Sequence, residues 1–363
     1  MARPSTSSNI HEPTTAPDLN PPPRTDGAGG APAATRAAAH VEPESPASGL
    51  GIASLLSIRP QFEAMDERAA LDLVGGLVGR AGDDAAVVDG LVVTTDMLHE
   101  STDFPAGTTR YTAGWRAVGA SLSDVAAMGA AATAAVAVYG APAFDAAELE
   151  AFLSGARDVC ERVDAEYVGG DLDGHDEFTV ASTALGETDE PVTRSGASAG
   201  DVVCVTGGLG RSAAALRAFD AGDVDRANDL FQFTPRVVAG RALAPYATAM
   251  MDSSDGLARS LHQLAAASDC TVALEADAVP AVDAVADYAT DDADAREMTV
   301  FFGEDFELVC TLHEHDVAAA RDACPVDLTV VGDVTGDATD ATGDDAVTVD
   351  GDALPDRGFT HGD

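Results

Sequence analysis

Residues Gly82 to Asp96 read GDDAAVVDGLVVTTD, two apolar runs rich in β-branched residues, joined by Asp-Gly and bracketed by acidic residues. The runs Ala85 to Val88 and Leu91 to Thr95 have strand composition, and Asp89-Gly90 is the dipeptide a type I′ turn prefers. The stretch therefore predicts a two-residue hairpin. Such a hairpin returns Asp96 to the end at which Asp83 and Asp84 enter. Carboxylates gathered on a rigid scaffold suit Mg²⁺, a hard cation that usually bridges protein carboxylates to substrate phosphates.

Downstream, Arg110 to Met128 predicts a helix stopped by Gly129 and carrying Ser121-Leu122-Ser123-Asp124. Ala132 to Tyr139 follows as a strand, and Asp145 to Val163 as a helix opened by the cap-like pair Asp145 and Glu148. Tyr167 to Asp171 is a short strand ending in Gly-Gly-Asp, and Phe178 to Gly186 another strand. Alternating strands and helices define the class as α/β (α+β type), a helical layer on a sheet. Thr193 to Asp201, TRSGASAGD, is turn-rich and predicts a domain boundary.

The second half repeats the layout without a visible sequence repeat. Strand Val202 to Thr206 leads through Gly207-Gly208-Leu209-Gly210 into a helix, Ser212 to Phe219. Thr234-Pro235 predicts a further helix start, with Thr as N-cap and Pro at the first position. Ala249 to Met251 is a strand ending at Asp252, and Asp255-Gly256-Leu257 opens a helix reaching about Ala267. After a loose acidic stretch, Phe302 to Leu308, FGEDFEL, enters the strand Leu308 to Leu312. Residues 65–192 and 193–363 are expected to be two domains, each a mixed sheet with helices on one face.

Residues 1–64 precede them as a low-complexity extension. Its first 48 or so residues are rich in Pro, Ser, Thr, Ala and Gly without apolar period, and are expected to be disordered. Met65 then opens MDERAALDLVGGLVG, where Leu71, Val74 and Leu77 share a helical face, and is expected to lie closer to the true start. No charged segment followed by an apolar one marks a signal peptide. The uncharged run Ala126 to Ala143 is mostly Ala and Gly, with Gly129 and Pro142 inside it, and fits a helix end and a buried strand better than a membrane span.

The net charge is -42, from 62 acidic residues against 20 basic ones, every one of the latter Arg. Acidic residues spread along the whole chain fit a halophile's cytoplasmic protein, kept soluble in high salt. A polyanion mimic or a disordered acidic chain is the alternative, although 46% hydrophobic residues is ordinary for a folded protein. Nucleic-acid binding is excluded for want of a basic face, so a phosphate ligand would need metal ions. Cys160, Cys204, Cys270, Cys310 and Cys324 form no CxxC pair and suggest neither zinc nor disulfides. No Ser/His/Asp arrangement, GxSxG elbow or HExxH appears.

Among so many acidic residues, context selects. Asp96 follows LVVTT, Asp124 sits in LSDVAAM, Asp171 follows YVGG and Asp252 follows AMM. All four stand at the ends of apolar segments, where an unpaired buried carboxylate is costly and a shared metal cluster removes the cost. The loop Gly207 to Gly210 either seats a phosphate on its backbone N–H groups or is a plain tight turn; lacking Lys, it is no P-loop. Arg194 is either a bidentate phosphate clamp or an exposed turn residue. Carboxylates, glycine corners and one clamp-type Arg together fit nucleotide-dependent phosphoryl transfer.

GDDAAVV, TTDML, SLSDVAAMGA, VGGD, TRSGASAGD, VTGGLG, MDSSDGLA and FGEDFEL, in this order over roughly residues 66–361, resemble the thiamine-monophosphate kinases of the aminoimidazole ribonucleotide synthetase superfamily. The resemblance implies that superfamily's two-domain fold, transfer of phosphate from ATP to thiamine monophosphate with several Mg²⁺ ions, and a homodimer paired through its N-terminal sheets. It assigns Mg²⁺ ligation to Asp84, Thr94, Thr95, Asp96, Asp124, Asp171, Asp252 and Asp255. ATP contacts fall to Gly170, Asp171, Arg194 and Ser254, and thiamine contacts to Glu304 and Phe359. Asp103 stands in the substrate loop where the family usually has His, and a carboxylate there can face the cationic thiazolium. Other activities of the superfamily, in hydrogenase maturation or purine synthesis, and a non-catalytic nucleotide- or metal-binding module are the alternatives.

Overall fold

A computed structural model describes residues 67–79, 81–338 and 346–358. The residues expected to be disordered at the N-terminus, and Phe359, lie outside the described residues. The described residues open with helix α1 (Glu67–Leu77), whose Leu73, Val74 and Leu77 are exposed. The predicted hairpin follows as β1 (Ala86–Val88) and β2 (Leu91–His99), paired antiparallel with Val88 opposite Leu91. Asp89 and Gly90 have φ of 52° and 84°, the two left-handed residues of a type I′ turn.

A short turn of helix, α2 (Glu100–Asp103), leads to α3 (Arg110–Ala127), capped by Thr109. Then come β3 (Ala131–Ala141), α4 (Ala146–Arg162), β4 (Glu166–Gly174) and β5 (Thr179–Glu187). The five strands order as β1-β2-β5-β3-β4, antiparallel except for β3 and β4. Asp145 caps α4 through Ala147 and Glu148 N–H, as expected, but Glu148 turns away to Arg110 instead of closing the box.

α3 is the central helix, with 14 of its 18 residues buried. Small residues let its neighbours touch backbone: a Cβ at Gly114 would stand 2.1 Å from Phe152 O of α4. Its inner face packs on β2 and β5, and its far side meets the second half of the chain.

That half contains β6 (Asp201–Thr206), α5 (Arg211–Asp220), α6 (Val224–Phe231), α7 (Val237–Leu243), β7 (Ala247–Asp252), α8 (Leu257–Ser268) and β8 (Cys270–Leu274). It continues with α9 (Asp283–Tyr288), α10 (Asp292–Arg296), β9 (Leu308–His313), α11 (Val317–Ala323), β10 (Leu328–Asp337), β11 (Val347–Val349) and β12 (Asp352–Ala353). The seven strands order as β12-β11-β8-β10-β6-β9-β7, and only β8 with β11 is parallel.

One core runs from the first sheet through α3, α4 and α7 to one face of the second sheet, and another lies on that sheet's opposite face beneath α8. The first sheet carries its helices on one face; the second is covered on both. Helix α7 starts at Val237, with Arg236 as a cap lacking a side-chain bond, so Thr234-Pro235 does not open it as expected. Arg236 is drawn to buried Glu307 instead, donating Nε to Oε2 at 2.6 Å. No helix among the described residues is long and apolar enough to cross a membrane.

Candidate active site

Three carboxylates meet where the two sheets approach α3. Asp84 comes from the segment before β1, Asp124 from the last turns of α3 and Asp252 from the end of β7, and one oxygen from each lies within 4.8 Å of the others. The Asp84 side chain is wholly buried and Asp252 is 2% exposed. Asp96 joins them from β2. Its Oδ2 accepts from Ser121 Oγ at 2.9 Å, and Ser121 is held in turn by Ser182 Oγ at 2.6 Å. Thr94 Oγ1 donates to Asp124 Oδ2. The period of β2 puts Thr94 and Asp96 on the face toward α3.

The electrostatics follow from this crowding. Burial, then the charges of Asp96, Asp252 and Asp84, push the Asp124 carboxyl well above its usual range, opposed by the bond from Thr94. Burial and Asp84 do the same to Asp252, opposed by Ser123 and Arg194. Arg194 forks onto Asp84, Nη2 to Oδ1 at 2.9 Å and Nε to Oδ2 at 3.2 Å, while its backbone N–H donates to Asp83. One guanidinium against four carboxylates leaves the site negative. Asp252 Oδ2 is buried without a hydrogen-bond partner among the described residues. Hard oxygens, mutual repulsion and an orphaned carboxylate oxygen fit a divalent cation of the Mg²⁺ type.

Other sequence candidates lie elsewhere. Thr95 bonds Ser182 O and Thr183 Oγ1 on the opposite face of the first sheet. Asp171 shares that outer face: register sets it level with Val138, Ala181 and Met97, and its Oδ1 accepts from Leu172 N. Gly170 faces inward, and a Cβ there would stand 1.8 Å from Ala137 O, so strand packing alone requires glycine. Gly170 and Asp171 line a cavity of about 190 Å³ with Tyr139, Leu149, Leu153 and Tyr167, between β4 and α4.

Ser254 and Asp255 are half-buried just beyond Asp252. Glu304 N donates to Ser254 O, which lays the FGED loop on this segment. Glu304 itself is ion-paired with Arg116. Asp103 is turned inward, 8% exposed, and accepts from His99 N and Thr102 Oγ1, both at 2.7 Å. The loop Gly207 to Gly210 is the plain turn. The N-terminus of α5 that it leads into is filled by the chain's own Asp305, whose carboxylate accepts from Gly210 N and Ser212 N. Burial pushes the Asp305 pKa up to about 7 against those two bonds.

Sequence reasoning did not single out Ser121, Ser182, Arg116 or Asp305. A signal for two of them was present, since Arg116 is the one cation of α3 beyond its first residue and Ser121 stands three residues before Asp124. Ser182 and Asp305 sat among ordinary neighbours, and only the fold reveals their partners.

The family models for AIR synthase related protein match twice, the N-terminal domain over residues 82–188 and the C-terminal domain over residues 198–344. Thiamine-monophosphate kinase of Halobacterium salinarum is 66% identical over 297 residues, covering 82% of this chain and all of that one. The enzyme of the same name from Methanospirillum hungatei is 37% identical over 307 residues, covering 82% and 99%. The solved structure described as AaThiL complexed with AMPPCP and TMP is 26% identical, with a TM-score of 0.74, covering 84% of this chain and 100% of that chain. A hydrogenase maturation protein, HypE in complex with ATP, shares the fold alone, at 18% identity and a TM-score of 0.58 over 78% and 91%. The chain belongs to the thiamine-monophosphate kinases, enzymes of the AIR synthase related family.

Proposed function

We propose that the protein transfers the terminal phosphate of ATP directly to the phosphate of thiamine monophosphate, giving thiamine diphosphate. The observation that carries this reading is the convergence of Asp84, Asp124 and Asp252 in a buried, net negative site. Two anionic reactants cannot approach such a site without cations. Asp84, Asp96, Asp124 and Asp252, with Thr94, would hold Mg²⁺, and Asp255 would complete that ligand set. Thr95, on the opposite face of the sheet, would serve a further ion with Asp171. Bound Mg²⁺ supplies charge neutralisation and a template for the phosphates.

The chain's own residues do the rest by positioning. Ser121 and Thr94 fix Asp96 and Asp124 by hydrogen bonds, so the carboxylates are oriented before substrate arrives. The apolar cavity beside Gly170 would take the nucleotide base, with Asp171 at its rim, where its carboxylate would hold a further metal ion. Arg194 clamps the nucleotide phosphates and Ser254 adds a hydroxyl. Glu304 and Phe359 receive the thiamine portion. Asp103, accepting from His99 N–H and Thr102 Oγ1, shapes the substrate loop between β2 and α3. No general base is required, because the attacking phosphate oxygen is already ionised near neutral pH.

Met97 and Val138 sit level on the outer face of the first sheet, 54% and 42% exposed. This uncovered apolar face supports a homodimer paired sheet to sheet. Thr95 and Asp171 would then lie at the interface, with the nucleotide. On this reading residues 65–192 are the nucleotide, metal and dimer half and residues 193–363 the second half. The Lys-free acidic surface supports a cytoplasmic protein of a halophile. ADP release in high salt with ATP and Mg²⁺ tests the activity: stimulation by thiamine monophosphate supports it, and none from folded, ATP-binding protein refutes it.

A further inference from the structure

Arg116 is among the largest fully buried side chains of the described residues, a cation at the middle of α3. A guanidinium out of water is retained only where its N–H groups find acceptors. Nη1 donates to Phe231 O at 2.9 Å and reaches Ser212 Oγ at 3.4 Å; Nη2 donates to Glu304 O at 3.2 Å and to Glu304 Oε2. The guanidinium lies 3.6 Å over the Phe231 ring, with Phe233 and Phe306 5.5 and 5.6 Å away. Arg116 thus fills an aromatic cage whose anionic side is Glu304.

The backbone of Glu304 adds a second, independent observation. Gly303, Glu304 and Phe306 have φ of 89°, 62° and 54°, a left-handed conformation that Glu and Phe rarely adopt. Surroundings must impose it. Glu304 N donates to Ser254 O, Phe306 N to Ser253 O, and Ser212 Oγ to Glu304 O at 2.6 Å. Ser253 and Ser254 directly follow Asp252 of the carboxylate cluster. Arg116 and Asp124 are eight residues apart on α3, two turns or about 12 Å along one rigid helix. That helix presents a cluster carboxylate at one level and grips Glu304 at the other.

We propose that Arg116 is a positioning residue for the organic end of the substrate, a step that rests on Glu304 being a substrate contact. It holds Glu304 by Oε2 in the left-handed turn, at a fixed span from the carboxylate cluster, and leaves Oε1 to accept a hydrogen bond from the substrate. Because Arg116 cancels the charge of Glu304, the pair offers a fixed acceptor rather than a net negative charge. The fork of the guanidinium, more than its charge, is what Lys cannot replace.

Steady-state kinetics on full-length protein in high salt with Mg²⁺ test this, varying each substrate with the other saturating, for R116K, E304Q and the double variant. R116K and E304Q should each lower kcat/KM for thiamine monophosphate roughly 10- to 100-fold, mainly through KM, with KM for ATP within about twofold. The double variant should fall well short of the product of the two effects, as expected of residues acting through one carboxylate. If E304Q leaves KM for thiamine monophosphate unchanged, the reading of Glu304 fails and the inference with it. If E304Q raises it and R116K does not, or if R116K raises both KM values alike, the inference alone is overturned. Should R116K not fold, Ser212→Ala releases the same Glu304 carbonyl while keeping the Arg116–Glu304 ion pair. An unchanged KM for thiamine monophosphate in that variant overturns the inference, and a selective rise supports it.

Discussion

Arg194 and Asp84 form a two-point ion pair across the boundary between the halves of the chain, with N–O distances of 2.9 and 3.2 Å and the carboxylate side chain wholly buried. Arg194→Gln strands that carboxylate beside Asp124 and Asp252. Breaking a buried pair typically costs about 3–5 kcal/mol, and the partial exposure of Arg194, 22%, places this one toward the lower end. Thermal melts in EDTA should show a clear loss of stability, partly restored by Mg²⁺, and KM for ATP should rise. Equal losses with and without Mg²⁺ would contradict a cation site at Asp84.

The raised pKa of Asp252 sets a sign. The folded state holds a proton that the unfolded chain releases near the ordinary value of 3.8, so metal-free stability falls as pH rises from there toward the raised value. Asp252→Asn removes one of the mutually repelling charges. In EDTA near neutral pH it should melt higher than the wild type and with a flatter pH dependence. It should also lose most of the stabilisation by Mg²⁺ and orders of magnitude in kcat. A variant that keeps the wild-type gain from Mg²⁺ would remove Asp252 from the metal site.

Gly170 separates packing from binding. A Cβ there would overlap Ala137 O, so Gly170→Ala should destabilise the β3–β4 edge by about 1–3 kcal/mol even without nucleotide. At Gly169 nothing stands within 4 Å and the cost is only that of its φ of 147°. Melting curves without ATP check the comparison, and an unaffected G170A would leave nucleotide approach as the reason for the glycine.

Val138 and Met97 lie level on the uncovered face of the first sheet, flanking Ala181. Val138→Glu adds a charge to this patch and should convert a dimer to a monomer by light scattering in high salt, with the secondary structure unchanged. A wild-type monomer, or an undisturbed dimer in the variant, would count against sheet-to-sheet pairing.

The hairpin, α3, α4 and the strands ending at Asp96 and Asp252 were legible because local chemistry and periodicity agree there. In α3 a long small-residue run met a glycine stop, and Asp89-Gly90 took the turn its composition favours. Strand β10 was not legible: register shifts after Val330 and Val334 break its alternation twice, and Gly332 approaches Ala273 backbone. The start of α7 was misplaced because Arg236 answers to Glu307, a residue 71 positions away. At the site, carboxylates at the ends of apolar runs could be read from sequence. Which face each would take could not, since Thr94 and Thr95 differ only in strand phase. That Arg194 pairs with Asp84, and Arg116 with Glu304, depends on long-range pairing that no local pattern encodes.

The most direct test follows the phosphate itself. Purified protein in high salt with Mg²⁺, thiamine monophosphate and ATP labelled in its terminal phosphate should place the label in thiamine diphosphate, one for each ADP formed, without free inorganic phosphate. Label appearing as inorganic phosphate while thiamine monophosphate stays unchanged would contradict direct transfer.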